Sequence, residues 1–364
     1  MPPYSIAMGK PTAPIKRILS LDGGGIRGLI SAHWIDAVEQ AIQPRQVRDS
    51  FDLLAGTSTG SILACALSCG LKPADMIKLY QDEGPRIFPG PAARRLNRIG
   101  RIFSDGFSAP KYSNKGLIGA LQNVFGTRLF GELPKPTMVV SYDTIKRKPV
   151  IFKSWRDEYR DLPVWQVCVA SSSAPTYFPS FVMPSTDAAS TSPDGERNWS
   201  LIDGGVVANN PAACVLAEAL RLNRENKTPV SVEEIVLASI GTGQHSQKIS
   251  AKKAGEWGAI EWAIPIIDVL FDGSTDAVDY VVQNILLESN YYRLQIALPH
   301  ANDSLDKASH TNLRALSDLA QSEIERLDSV LWRLSDRLKK IVKDDALLTR
   351  DGQLTYQGHC TRTS

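Results

Sequence analysis

The chain is poor in the features that mark several large protein classes. Its 364 residues include only five cysteines, Cys65, Cys69, Cys168, Cys214 and Cys360, with no CxxC pair. That excludes a disulfide-built scaffold, and buried free thiols are the expectation. Charge of one sign is lacking as well. Forty-one basic against thirty-nine acidic residues leave +2, so the basic excess of a dedicated nucleic-acid binder is missing and no DNA or RNA partner is expected. No apolar run reaches the ~20 residues of a transmembrane helix. The longest, Ala259 to Phe271, is interrupted by Glu261, Pro265 and Asp268. Residues 1–17 lack the apolar stretch of a secretory leader, so a soluble, cytoplasmic protein is the expectation. The sequence offers no His, Cys and carboxylate cluster at ligand spacing, and neither metal nor cofactor is expected.

What is present is an ordinary globular composition, 43% hydrophobic and 22% charged. At about 150 residues per domain, one large domain with an appendage and two domains are both open. The first seventy residues alternate. Ile18–Leu21 and Phe51–Ala55 read as short strands, and Leu29–Ile42 and Ile62–Leu71 read as helices. Such alternation indicates a layered α/β fold with a largely parallel sheet. Later strands are expected at Met138–Tyr142, Val150–Lys153, Ser200–Ile202, Ile235–Ile240 and Tyr292–Ala297. Helices are expected at Lys115–Phe125, Pro163–Ala170 and Ala212–Leu222. Pro85–Pro110, rich in Pro, Gly and Arg, reads as a long excursion or lid, and Pro184–Asn198 as a loop. From Asn312 to Lys343 apolar residues recur at three- and four-residue steps, the mark of one long amphipathic helix.

Three glycine-bearing motifs carry the chemistry. Gly56-Thr57-Ser58-Thr59-Gly60 is a GxSxG between a predicted strand and a predicted helix. A sharp turn there exposes the serine hydroxyl and aims helix N-terminal N–H groups at it. A helix-capping turn is the other reading. Asp22-Gly23-Gly24-Gly25-Ile26-Arg27-Gly28 also joins strand to helix. Its successive N–H groups suit an anion, either the oxyanion of acyl transfer or a ligand phosphate, and a purely structural glycine-rich helix entry is the other reading. The spacing fits a dinucleotide fingerprint too, but the acidic residue about 20 positions on is only Glu39 or Asp49, neither ending a clear strand. Asp203-Gly204-Gly205 follows a short predicted strand, where the aspartate is a turn residue or, opposite an exposed serine, a general base.

A Ser-His-Asp triad requires a histidine. None of His33, His245, His300, His310 and His359 lies in a context resembling a triad loop, and His245, after Gly241-Thr242-Gly243, is the best of them. A Ser–Asp dyad is the simpler reading. A triad esterase and a non-enzymatic nucleotide-sensing scaffold are the competing ones. Two further segments have double readings. Arg94, Arg95, Arg98 and Arg101 are a solvated loop or a contact for lipid head groups or phosphates. Trp257 to Phe271 is core or oligomer contact, or else a lid or acyl channel.

The DGGGIRG loop, GTSTG, the segment ASSSAPTYFPS (Ala170–Ser180) and DGG occur in one order over about residues 15–245, and together they resemble the patatin-like phospholipases. The resemblance implies a three-layer α/β/α fold with a mainly parallel central sheet and a C-terminal helical extension. It implies residues 1–15 as an N-terminal extension, 16–300 as the catalytic domain with a lid at about 85–110, 301–345 as the helical extension and 346–364 as a tail. Ser58 would be the nucleophile and Asp203 its base. Gly23, Gly24, Gly25, Arg27 and Gly28 would form the oxyanion loop. Gly56, Thr57, Thr59 and Gly60 would shape the nucleophile turn, and Gly204 and Gly205 the aspartate turn. The implied activity is hydrolysis of acyl esters of membrane phospholipid, without metal or cofactor, by a protein peripheral at the inner membrane face. The surroundings of the motifs look most like a bacterial branch of that family, some of whose members are switched on by cyclic oligonucleotides in anti-phage defence. That second resemblance implies a cyclic oligonucleotide activator and a homo-oligomer.

Overall fold

A computed structural model describes residues 10–91, 110–185, 191, 195, 197–228, 230–244, 249–263, 265–299, 304–326 and 329–340. Among the described residues eight strands form one mixed sheet: β1 (Arg17–Leu21), β2 (Leu53–Thr57), β3 (Thr137–Asp143), β4 (Lys148–Lys153), β5 (Phe181–Pro184), β6 (Asn198–Asp203), β7 (Val236–Ile240) and β8 (Tyr291–Leu294). Their order is β5-β6-β3-β2-β1-β7-β8, with β4 also paired to β3. The run β3-β2-β1-β7-β8 is parallel, and β4, β5 and β6 pair antiparallel.

Nine helices matter for the site: α1 (Gly28–Ala41), α2 (Thr59–Cys69), α3 (Pro73–Ile87), α4 (Lys115–Phe125), α5 (Val164–Ser172), α6 (Gly205–Ala208), α7 (Ala212–Glu225), α8 (Pro265–Ile285) and α9 (His310–Ile324). Every residue of β2 and β7 is buried, as expected for parallel strands covered on both faces. Consecutive residues feed opposite cores. Leu19, Leu21, Leu54, Val139 and Ile240 join the apolar core under α1 to α5 and α9. Ile18, Leu53, Ala55, Met138 and Leu237 join a second core with α7 and Val282 of α8. The period-two alternation of the strands thus builds three layers, α/β/α.

The pairings of β3 position the site. A strand has two edges. β4 takes one along Met138–Asp143. The other is shared: β2 pairs with Thr137–Val140, and β6 with Ser141–Asp143. The C-terminal ends of β2 and β6 therefore meet head to head, Thr57 opposite Val140 and Asp203 opposite Ser141.

Three expectations are corrected. The long helix beyond Asn312 is two, α9 and a stretch at residues 330–340. The indole N–H of Trp332 donates to the Ile324 carbonyl at 2.9 Å and so satisfies one of the acceptors left open where α9 stops. The apolar spacing runs on across the break because Leu316, Leu331, Leu334 and Leu338 enter one core. The excursion at Pro85 does not start there, since α3 continues through Pro85 to Ile87. Strand β5 was not expected. It is a short edge strand ending in proline, with Val182 exposed. The arginines 94, 95, 98 and 101, the histidines 245, 300 and 359, Cys360 and residues 346–364 lie outside the described residues. The other four cysteines are free thiols, with Cys65 and Cys168 buried.

Trp34 of α1 is fully buried and donates its indole N–H to the Ala320 carbonyl of α9 at 3.2 Å. Trp34→Ala is expected to lower stability by about 3–5 kcal/mol in urea unfolding. A loss under 1 kcal/mol would show that α9 is not part of the cooperative core.

Candidate active site

The site starts with a strained residue. Ser58 follows β2 directly and precedes α2, with φ 53° and ψ −124°. A non-glycine side chain in that region is costly and persists only where its surroundings impose it. They do so here at several points. The Ser58 N–H donates to Ser171 Oγ at 2.8 Å, and that hydroxyl donates to the Val140 carbonyl at 2.6 Å. The Ser58 carbonyl accepts from the Ser61 hydroxyl at 2.6 Å and the Ser61 N–H at 2.9 Å. Thr57 Oγ1 donates to the Ala208 carbonyl at 2.7 Å. Thr59 Oγ1 hydrogen-bonds the Tyr80 hydroxyl of α3. Gly56 lies within β2, and Gly60 in the first turn of α2.

Opposite Ser58 stands Asp203, the last residue of β6. The Ser58 hydroxyl donates to Asp203 Oδ2 at 2.6 Å, and the Gly205 N–H donates to Oδ1 at 2.7 Å. The backbone of Asp203 and Gly204 is held by α5 and the residue after it: their N–H groups donate to the carbonyls of Ser173 and Ser171, at 3.0 and 3.3 Å. One segment, Ser171–Ser173, therefore fixes both halves of the pair. Burial without a cation pushes the Asp203 carboxyl up to about 7, against the opposing effect of its two hydrogen bonds. Among the described residues no histidine enters the site. His33 hydrogen-bonds Ser317, and His310 is exposed at the start of α9.

The glycine loop lies beside this pair. A side chain at Gly23 would stand with its Cβ 3.2 Å from that of Ser58. Gly25 holds φ +56°, open to glycine, with the Leu305 backbone against it. The N–H groups of Gly23, Ile26, Arg27 and Gly28 are spent inside the fold, on the carbonyls of Asn209, Leu305, Gly24 and the Gly25–Ile26 turn. Those of Gly24 and Gly25 have no acceptor among the described residues. Arg27 is buried. Asp22, which opens the loop, is held by Arg293 of β8 at 2.6 Å, while Arg293 also donates to Ser239 Oγ at 2.9 Å. Burial raises the Asp22 carboxyl to about 6, and Arg293 counteracts it. The Gly23 carbonyl accepts from Thr242 Oγ1 at 2.8 Å.

Ser58 and Asp203 both line an apolar cleft of about 740 Å³, its open mouth included. Ile62, Leu79, Leu117 and Leu121 form part of its wall, with Phe178 and Phe271. Phe88, Tyr112 and Phe178 pack edge to face and tilted, with centroids 5.6–5.9 Å apart. The Tyr112 hydroxyl donates to Asp306 at 2.8 Å, which ties this group to Leu305 in the cleft wall. Sequence reasoning missed Ser171 as a separate support, Arg293, and Leu305. Only Ser171 had a signal, within the quoted ASSSAP segment. Among the described residues no group of three His, Cys, Asp or Glu could hold a metal ion.

A buried serine on such a turn, hydrogen-bonded to a carboxylate at the wall of an apolar cleft, belongs to the serine hydrolases that transfer acyl groups. The chain's place within that class is narrower. Residues 19–216 match the family model described as patatin-like phospholipase, and the chain belongs to that family. Patatin-like protein 1 of Arabidopsis thaliana is 30% identical, over 84% of this chain and 80% of its own length. Patatin-like protein 1 of Oryza sativa subsp. indica is 28% identical, over 86% and 83%. A Solanum tuberosum relative named "Probable inactive patatin-3-Kuras 1" is 29% identical, over 85% and 86%.

A raised carboxyl has a stability consequence. Folded Asp203 holds its proton more tightly than the unfolded chain does, so its contribution to stability is greatest at low pH. That contribution falls as pH rises from about 4 to about 7. Asp203→Asn is expected to be more stable than the wild type at pH 8, on the order of 2–4 kcal/mol. The difference should shrink toward pH 5. A difference that does not vary with pH in urea titrations would refute the burial argument.

Proposed function

We propose that this chain hydrolyses fatty-acyl esters of membrane phospholipids through a Ser58–Asp203 dyad. The 2.6 Å hydrogen bond from the Ser58 hydroxyl to Asp203 Oδ2 carries the reading. Family membership alone does not decide activity, since one relative is named as a probable inactive patatin.

In this mechanism the acyl chain lies in the apolar cleft, which places the ester carbonyl at Ser58. Asp203 Oδ2 takes the hydroxyl proton as Ser58 Oγ attacks the carbonyl carbon. Oδ1 stays anchored on the Gly205 N–H, which keeps Oδ2 turned to the serine. The negative charge on the former carbonyl oxygen falls to the free N–H groups of Gly24 and Gly25 and to the N-terminus of α2. Collapse breaks the ester C–O bond, and the leaving alkoxide takes the proton from Asp203. Water then repeats the sequence on the acyl-serine, giving its proton to Asp203, which returns it to Ser58 as the fatty acid leaves. A base near pH 7 is matched to both proton transfers. The glycine loop is an oxyanion cradle in this reading, and no described residue is assigned to a cyclic oligonucleotide.

A fluorophosphonate is expected to label Ser58, and Ser58→Ala and Asp203→Asn are each expected to abolish ester hydrolysis in folded protein. Because the ionised carboxylate is the base, kcat/KM for a soluble ester should fall about tenfold per pH unit below about pH 7. Labelling of another residue, or a flat profile from pH 5 to 9, would overturn the dyad.

A further inference from the structure

Isolated apolar side chains on a protein surface need no explanation, but a contiguous set does. Among the described residues nine large apolar side chains stand exposed. Six of them, Ile266, Val269, Leu270, Tyr280, Val281 and Ile285, are on α8, and Leu287 follows two residues later. Their three- and four-residue steps place them on one side of the helix, with Gly273, Ala277 and Asn284, also exposed, between them, and the Asn284 amide donates to the Tyr280 carbonyl. The helix is 21 residues long, about 31 Å. Its other side is used: Ile267, Phe271, Thr275 and Val282 are buried, and Phe271 walls the cleft that holds Ser58 and Asp203.

We propose that the outward face of α8 seats this chain on an uncharged or zwitterionic lipid surface. The proposal rests on the reading that the substrate is a membrane lipid ester. One observation selects this occupant over a second copy of the chain, and a second selects the kind of lipid. The first is continuity. One helix, a single helix diameter thick, presents apolar side chains to solvent on one side and to the catalytic cleft on the other. A helix lying in the interface sinks about 5–10 Å into the boundary of head groups and acyl chains. That brings the wall of the cleft next to the acyl chain it must receive. The second is charge. The helix carries no lysine, arginine or histidine, and at about 100° per residue its Asp268, Asp272, Asp276 and Asp279 fall on the flank away from the exposed apolar side. That side therefore presents no cation to an anionic head group, and seating depends on apolar burial rather than on a basic patch.

The test uses the full chain carrying Ser58→Ala, which leaves lipid intact, and sedimentation with phosphatidylcholine vesicles. Binding is expected, and to similar extent in 0.1 M and 0.5 M NaCl, because apolar burial is not screened. Adding Leu270→Glu with Val281→Glu is expected to weaken it at least tenfold. On the Ser58 background the same pair should cut hydrolysis of vesicle lipid at least tenfold and leave hydrolysis of a monomeric short-chain ester unchanged. Leu270→Ser with Val281→Ser serves as the milder pair if the glutamates lower the melting temperature. Equal binding and equal vesicle hydrolysis by these variants would overturn the proposal. So would a dimer in light scattering that dissociates in the variants while no form binds vesicles, and this would assign the face to a second copy. If the Ser58 protein cleaves neither substrate yet the Ser58→Ala protein still binds vesicles, the hydrolase reading fails and the docking face stands.

Discussion

The site depends on a single edge of one strand. Because β4 occupies the far side of β3, β2 and β6 must divide the near side between them. Two strands running in opposite directions then end at neighbouring registers, Val140 and Ser141. Ser58 directly follows the first and Asp203 ends the second, 145 residues apart in sequence with their side chains 2.6 Å apart in space. The hydroxyl and the carboxylate meet directly. The connection between β3 and β6 supplies the rest. It passes through α5, and the end of that helix lends a hydroxyl to the Ser58 N–H and carbonyls to the backbone of Asp203 and Gly204. The chain that separates the two residues in sequence is the one that holds them together.

This arrangement costs stability at two points. Ser58 sits at positive φ, and Asp203 is buried with only a hydroxyl and a backbone N–H as partners among the described residues. A salt bridge would relieve the second cost and would also lower the carboxyl out of the range where it can exchange protons with a serine. Asp22 shows the contrast. It is as deeply buried, but Arg293 faces it at 2.6 Å and its carboxyl is raised less. The cation goes to the carboxylate that shapes the glycine loop, and among the described residues none faces the one next to Ser58. The offset for both costs comes from ordinary burial in two cores, where side chains such as Trp34, Phe51 and Phe152 are removed from water.

Much of this was legible in the sequence, for identifiable reasons. Strands β1, β2, β3 and β7 are short, mainly apolar runs that end at Asp22, Ser58 or a turn, as doubly buried parallel strands tend to be. The motifs at their ends named Ser58, Asp203 and the glycine loop. What failed was whatever local pattern does not encode. Strand β5 is four residues at an edge, closed by a proline, and carries no alternation long enough to read. The break after Ile324 is invisible because the apolar period continues in phase across it. Arg293 and Leu305 support the glycine loop from about 280 residues away, and nothing in their neighbourhoods says so. Which N–H groups of the loop remain free was also illegible, since Gly23 and Gly24 differ only in what Asn209 happens to accept.

The long apolar segments illustrate the same limit from the other side. The stripe beyond Asn312 and the run ending at Phe271 look alike in sequence, each needing a cover. The first has one: Leu316, Leu331, Leu334 and Leu338 disappear into the core shared with α1, so that segment needs no partner to account for its pattern. The second is divided. Phe271 and Ile267 turn inward, and Ile266, Val269 and Leu270 do not. A helix that is apolar on both sides is stable in a water-soluble fold only at a cost, unless its outer side has an apolar environment to meet. In a lipid hydrolase that environment is the substrate phase itself. On the proposed seating, the wall of the cleft and the seat on the lipid are two faces of one helix, and the distance from the lipid surface to Ser58 would be set by the thickness of α8.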